Sequence, residues 1–154
     1  MDSLHERQFS LEALMPLIRE RLENGQSVRF SPKGTSMLPM LRQNIDSVVL
    51  SPLPETIEKY DIPLYQRKNG QYVLHRIIKT GESYTCIGDN QISPEPGIAR
   101  EQMIGVVTAF YRGEKRWETA SLPYRVYCRL WHFTRPARRL WRGIKGRIRR
   151  FLRK

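Results

Sequence analysis

The sequence predicts a mostly β protein: an antiparallel coiled β-sheet, or partly open barrel, with a helix before it and a basic amphipathic helical tail after it. Three observations predict this. Short apolar segments recur from Ser27 to Tyr111, interrupted by Gly, Pro, Asn and Asp roughly every ten residues, the rhythm of short antiparallel strands. Apolar residues at helical spacing mark 10–24. Residues 121–154 hold 12 Arg or Lys and no Asp or Glu, with apolar side chains three or four positions apart. The chain is expected to divide into an N-terminal helix (1–26), a β-rich domain (27–118) and a basic helical tail (119–154).

In the first segment Leu11, Leu14, Met15, Ile18 and Leu22 share one helical face, Ser10 supplies an N-cap, and Asn24-Gly25 a stop. Pro16 lacks the N–H that a helix interior uses, so it is expected to kink or restart the helix. Ser27-Val28-Arg29-Phe30 alternates as a short strand and leads into the turn Gly34-Thr35-Ser36-Met37-Leu38-Pro39-Met40-Leu41. Residues 47–50 read as a second strand, closed by Pro52 and Pro54. Residues 60–65 read as a third, where Pro63 predicts an edge or bulged position. Asn69-Gly70 signals a hairpin, with 71–79 as one returning strand. Residues 83–87 form the next strand, followed by a turn-rich segment at 88–97. The last apolar strand is 103–111, with Gly113-Glu114-Lys115 as a hairpin loop.

At 154 residues the chain is long enough for one domain with a sizeable core. Its net charge of +12 has a single origin. All 15 acidic side chains lie before residue 121, where as many basic ones balance them, so the excess belongs to the tail. Cys86 and Cys128 show neither metal nor redox spacing and are expected to be free thiols in a reducing compartment. No apolar run approaches the ~20 residues of a membrane span. The polar start Met1-Asp2-Ser3-Leu4-His5-Glu6-Arg7 does not look like a signal peptide, so the expected location is cytoplasmic.

Two residues carry the chemistry. Ser36 stands between a turn residue, Gly34, and a helix breaker, Pro39, which fixes its backbone in an exposed geometry. Roughly forty residues later one imidazole interrupts the strand-like run Tyr72-Val73-Leu74-His75-Arg76-Ile77-Ile78. A serine becomes a nucleophile when a base removes its proton, and histidine has the ordinary pKa suited to that task. Read singly, a turn hydroxyl and a strand imidazole each have a plain structural explanation. Together they are the pair to test for nucleophilic chemistry.

Three segments in order sharpen this: Gly34-Thr35-Ser36-Met37-Leu38-Pro39 with Leu41, then Tyr60-Asp61-Ile62 through Val73-Leu74-His75-Arg76-Ile77, then Gly88-Asp89-Asn90 followed by Gln102-Met103-Ile104-Gly105. Over about residues 27–108 the chain resembles the signal peptidase I and self-cleaving repressor superfamily of serine peptidases. The resemblance implies a mostly-β fold of the signal peptidase type, peptidase activity without metal or cofactor, and Ser36 as nucleophile. Most bacterial members place a lysine base at the position of His75. Histidine there resembles the archaeal and endoplasmic-reticulum subtype and implies His75, not Lys68 or Lys79, as general base. The acid that orients it is then either Asp89, in the Gly-Asp-Asn motif, or Glu95 before Pro96, one carbon longer than the family's usual aspartate. A hydroxyl often found two residues before the nucleophile is here Gly34, which leaves the Ser36 N–H as first oxyanion donor and the second unassigned. The membrane span that precedes such a domain in signal peptidases has no counterpart in the sequence.

A leader or signal-type peptide is the expected substrate. The alternatives are an inactive peptide-binding module of the same fold, or a self-cleaving regulator, although the residues before Ser27 are too few for a DNA-binding domain. In the tail, Val126, Leu130, Phe133, Leu140, Ile144 and Ile148 follow the helical period, Trp131 and Trp141 add interfacial aromatics, and Pro136 is expected to separate two helices or kink one. This pattern suits an anionic membrane surface contacted through 121–154, which would place the protein peripherally on the inner face of the membrane. A helix packed on the domain is the competing reading. Nucleic acid is disfavoured, because no reading motif accompanies the charge.

Overall fold

The computed structural model describes residues 10–152, so the reading of Met1 to Arg7 lies outside them. Helix α1 spans Leu11–Glu23, and the Ser10 side chain accepts a hydrogen bond from the Ala13 N–H at 3.2 Å. It runs through Pro16 as one helix rather than restarting there, with Met15, Ile18 and Leu22 buried. Strands β1 (Val28–Phe30) and β2 (Ser47–Ser51) follow, then β3 (Pro63–Gln66), β4 (Tyr72–Leu74), β5 (Arg76–Lys79), β6 (Tyr84–Ile87), β7 (Glu95–Ile98), β8 (Met103–Arg112) and β9 (Lys115–Glu118). Two helices end the chain, α2 (Leu122–Phe133) and α3 (Arg135–Phe151).

The strands form two antiparallel sheets, and neither closes into a barrel. The larger has the order β1-β2-β8-β3-β4 with β9 also on β8; the smaller is β5-β6-β7. Long β8 organises the first: β2 lies along one side, and β3 and β9 share the other. Because successive side chains on a strand face opposite ways, β3 is buried on both faces. Leu64 joins the core under α1 and α2, while Tyr65 packs with Val73, Ile77, Cys86 and Ile98 between the sheets.

Three expectations are corrected, and one, the position of Pro63, is narrowed. Residues 71–79 are not one strand: β4 belongs to the large sheet, β5 to the small one, and His75 is the break between them. Pro63 is not on an edge strand, since β3 pairs with both β8 and β4; as the first residue of the strand it lies beyond the β4 ladder, which needs no N–H from it. A bulge does occur next to it, between Leu64 and Tyr65. The turn-rich segment contains a strand, β7, which among the described residues pairs only with β6 and so tolerates Pro96 and Gly97 on its open edge. The tail is not a single appendage. Tyr124 and Cys128 of α2 are buried in the main core, whereas α3 has no buried residue.

Candidate active site

The serine turn is set by its neighbours. Gly34 has φ +91°, a left-handed backbone that a side chain would strain, so glycine at this position serves the turn. Ser36 is half-buried, and Met37, Met40 and Leu41 anchor the following turn in the core. Neither Oγ nor the backbone N–H of Ser36 has a hydrogen-bond partner among the described residues, which leaves the N–H able to donate elsewhere.

The Gly-Asp-Asn segment clasps this turn to the His75 break. The Asn90 N–H donates to the Ser36 carbonyl at 2.8 Å, and its side-chain amide donates to the Thr35 carbonyl at 3.1 Å. Gly88 must be glycine, because a Cβ there would stand 2.5 Å from the Ser36 carbonyl oxygen. Asp89 turns the other way. Its carboxylate receives two 2.7 Å hydrogen bonds from the fully buried Arg76 guanidinium and a third from the Tyr127 hydroxyl at 3.1 Å. Arg76 also donates to Tyr124 Oη and Cys128 Sγ, so one buried ion pair joins β5, the 88–90 loop and α2.

His75 is 3 % exposed and lines a cleft of about 550 Å³ together with Ser36. Leu11 and Leu14 of α1 form one wall, Tyr72 and Val73 of β4 another, and Asn90 and Gln91 the rim. No hydrogen bond joins Ser36 to His75. The imidazole is held from behind: Nδ1 lies 3.3 Å from the Tyr65 hydroxyl, which donates to Glu95 Oε2 at 2.9 Å, and Glu95 is paired with Arg67 at 2.7 Å. Hydrogen bonds from Arg67, then Tyr65, hold the Glu95 carboxyl below its ordinary range despite burial. An ionised Glu95 only accepts, so the single Tyr65 proton points to it and the phenol oxygen accepts from His75 Nδ1–H. That tautomer leaves the lone pair on Nε2. No buried side-chain nitrogen or oxygen lacks a partner among the described residues, so Nε2, which has no partner among them, opens to the cleft that His75 lines.

Burial, reinforced by the nearby Arg67 cation, lowers the His75 pKa to about 4 against the pull of Glu95 and Asp89. The imidazole is therefore neutral at neutral pH. Lys68 and Lys79 are exposed and neither lines the cleft.

The structure thus brings Ser36 and His75 into one cleft and separates the two acids that the sequence left open. Glu95 reaches His75 through Tyr65, while Asp89 is occupied by Arg76 and makes no hydrogen bond to the imidazole. Tyr65 and Arg67 were not singled out from sequence. Their one signal was the Tyr-Gln-Arg spacing, which places both on the same face of β3 and its extension. Both cysteines are free and buried, and burial raises the Cys86 thiol to about 12.

Neither a family model nor a curated protein matches the chain. Among the described residues no three His, Cys, Asp or Glu side chains gather as they would around a metal ion, and no helix is long and apolar enough to cross a membrane.

Proposed function

We propose that the protein is a serine endopeptidase similar to signal peptidase I, cleaving a leader or signal-type peptide with Ser36 as nucleophile and His75 as base. One observation carries this reading: Ser36 and a neutral His75, whose Nδ1 is engaged by Tyr65, line the same cleft. Ser36 Oγ attacks the scissile carbonyl carbon as its proton passes to His75 Nε2. The Ser36 N–H donates to the oxyanion that forms. The C–N bond then breaks, His75 returns the proton to the leaving amine, and water hydrolyses the acyl-serine by the same route. Glu95, through Tyr65, keeps the imidazole in the required tautomer, the positioning task that a buried aspartate performs in other triads. Strand β4, the edge of the large sheet, borders the cleft, and an extended peptide can add to such an edge.

A serine-directed fluorophosphonate tests the reading. It is expected to label the wild-type protein and to leave Ser36→Ala and His75→Ala unlabelled. Labelling that persists in Ser36→Ala refutes it.

A second reading, a peptide-binding module without turnover, is favoured by the missing hydrogen bond between Ser36 Oγ and His75. Resting enzymes often tighten this contact only on binding substrate. A folded protein that binds peptides yet never takes the probe would establish the module instead.

A further inference from the structure

Helix α3 is mounted the wrong way round for an ordinary surface helix. At about 100° per residue, Leu140, Trp141, Ile144, Ile148 and Phe151 fall within an arc of roughly 120°. That arc faces solvent: Leu140 is 68 % exposed, Trp141 58 % and Phe151 83 %. The contacts to the body come instead from arginines on the polar side. Arg135 donates to the Ile92 carbonyl, Arg142 to the Asn90 carbonyl, and the Arg138 guanidinium stacks 3.5 Å from the Trp131 ring centre. Lys145 and Arg147 flank the apolar arc on either side, and the whole stretch from 121 onward has no acidic residue.

An outward apolar stripe bordered by cations requires a cover that is apolar at the centre and anionic at the rim. A second copy of this helix would cover the stripe but would bring cation against cation, with no carboxylate in 121–154 to neutralise them. A nucleic acid would take the cations and leave Trp141, Ile144 and Ile148 in water. An anionic bilayer satisfies both at once. We propose that α3 lies in the headgroup layer of an anionic membrane, its apolar arc in the acyl boundary and Lys145 and Arg147 at the lipid phosphates. Asn90 links this helix to the cleft, because it accepts from Arg142 while holding the carbonyls of Thr35 and Ser36. The Asn90 rim of the cleft therefore stands one helix diameter, ~10 Å, from the lipid surface.

Co-sedimentation with vesicles tests this on the full-length protein. Phosphatidylcholine vesicles containing roughly a third phosphatidylglycerol are expected to bind it at least tenfold more tightly than pure phosphatidylcholine, with affinity falling as salt rises. Ile144→Glu with Ile148→Glu, and separately Lys145→Gln with Arg147→Gln, should each weaken binding about tenfold or more. All four positions are exposed, and unchanged thermal melting will show the fold intact. Ser36→Ala should bind as the wild type does, which keeps this test separate from the catalytic one. Equal binding to both vesicle types, or glutamate variants that bind like wild type, would overturn the proposal. So would a dimer that dissociates in the glutamate variants without vesicle binding, or binding to a duplex oligonucleotide alone.

Discussion

In the proposed mechanism the decisive residue is Tyr65, because one phenol proton determines which nitrogen of His75 keeps its lone pair. Glu95 is ionised and only accepts, so Tyr65 donates to it and accepts from Nδ1–H, and Nε2 is left free toward the cleft. Tyr65→Phe removes the acceptor behind the imidazole without disturbing the Arg67–Glu95 pair. The labelling rate is expected to fall by a factor on the order of 10² with the fold unchanged. The pH dependence follows from the sign of the His75 shift. Burial and Arg67 disfavour the imidazolium and lower the pKa to about 4, so the neutral base persists until the pH falls that far. Labelling rate against pH should therefore be level through neutrality and drop by half near pH 4, not between 6 and 7 where an unperturbed histidine titrates. A midpoint near 6.5, or a rate that climbs only in alkaline solution, would show that the base is not this buried histidine. Ser36 and His75 stood out in the sequence as a lone hydroxyl in a turn and a lone imidazole in an apolar run, and the structure places both in one cleft. Tyr65 did not stand out, because a tyrosine in a strand reads as ordinary core.

At the scale of elements, the 88–90 loop is a clasp with two grips that should fail differently. Its serine grip is a matter of space, since Gly88 lies where a Cβ would meet the Ser36 carbonyl oxygen at 2.5 Å. Its histidine grip is a matter of charge, since Asp89 neutralises an Arg76 that is 2 % exposed. Gly88→Ala should displace the serine turn and abolish labelling while the protein still unfolds cooperatively. Asp89→Ala strands a buried guanidinium and should lower unfolding stability by ~3–5 kcal/mol, measured by urea denaturation. An Asp89→Ala protein as stable as wild type would show that the pair is not buried as described. Most strands were legible from turn residues and apolar spacing, as β1, β2, β6 and β8 show. The break at His75 was not: Tyr72 to Ile78 is continuous in apolar character, and the passage from one sheet to the other depends on contacts remote in sequence. Strand β7 was hidden for the opposite reason. Pro94, Pro96 and Gly97 signal turns, and only its edge position lets Glu95 enter a ladder and face Tyr65.

On the scale of the whole molecule, the basic tail is two structures with one composition. Periodicity and charge alone run through 121–154 unchanged, so the sequence offered no reason to divide it except Pro136; the boundary falls at Thr134, with Pro136 in the first turn of α3. What separates the halves is their partners. Tyr124 and Cys128 of α2 enter the main core and hydrogen-bond the Arg76 guanidinium, and Trp131 donates to the Asp89 carbonyl at 3.0 Å. Among the described residues, helix α3 meets the body through arginine hydrogen bonds to the Ile92 and Asn90 carbonyls and the Arg138–Trp131 stack, surface contacts that contribute on the order of 1 kcal/mol each. Since a domain of this size is stable by only ~5–15 kcal/mol, losing α2 should be ruinous and losing α3 tolerable. A chain ending at residue 134 is expected to melt within a few degrees of the full protein and to take the serine probe at a similar rate. A chain ending at residue 121 should lose its cooperative transition, because Arg76 would be left without Tyr124 and Cys128 and the core beside it would be open to water. Thermal melting of the two truncations checks this. If the shorter chain melts like the longer one, α2 is an appendage after all, and the clasp around Ser36 and His75 must draw its rigidity from the sheets alone.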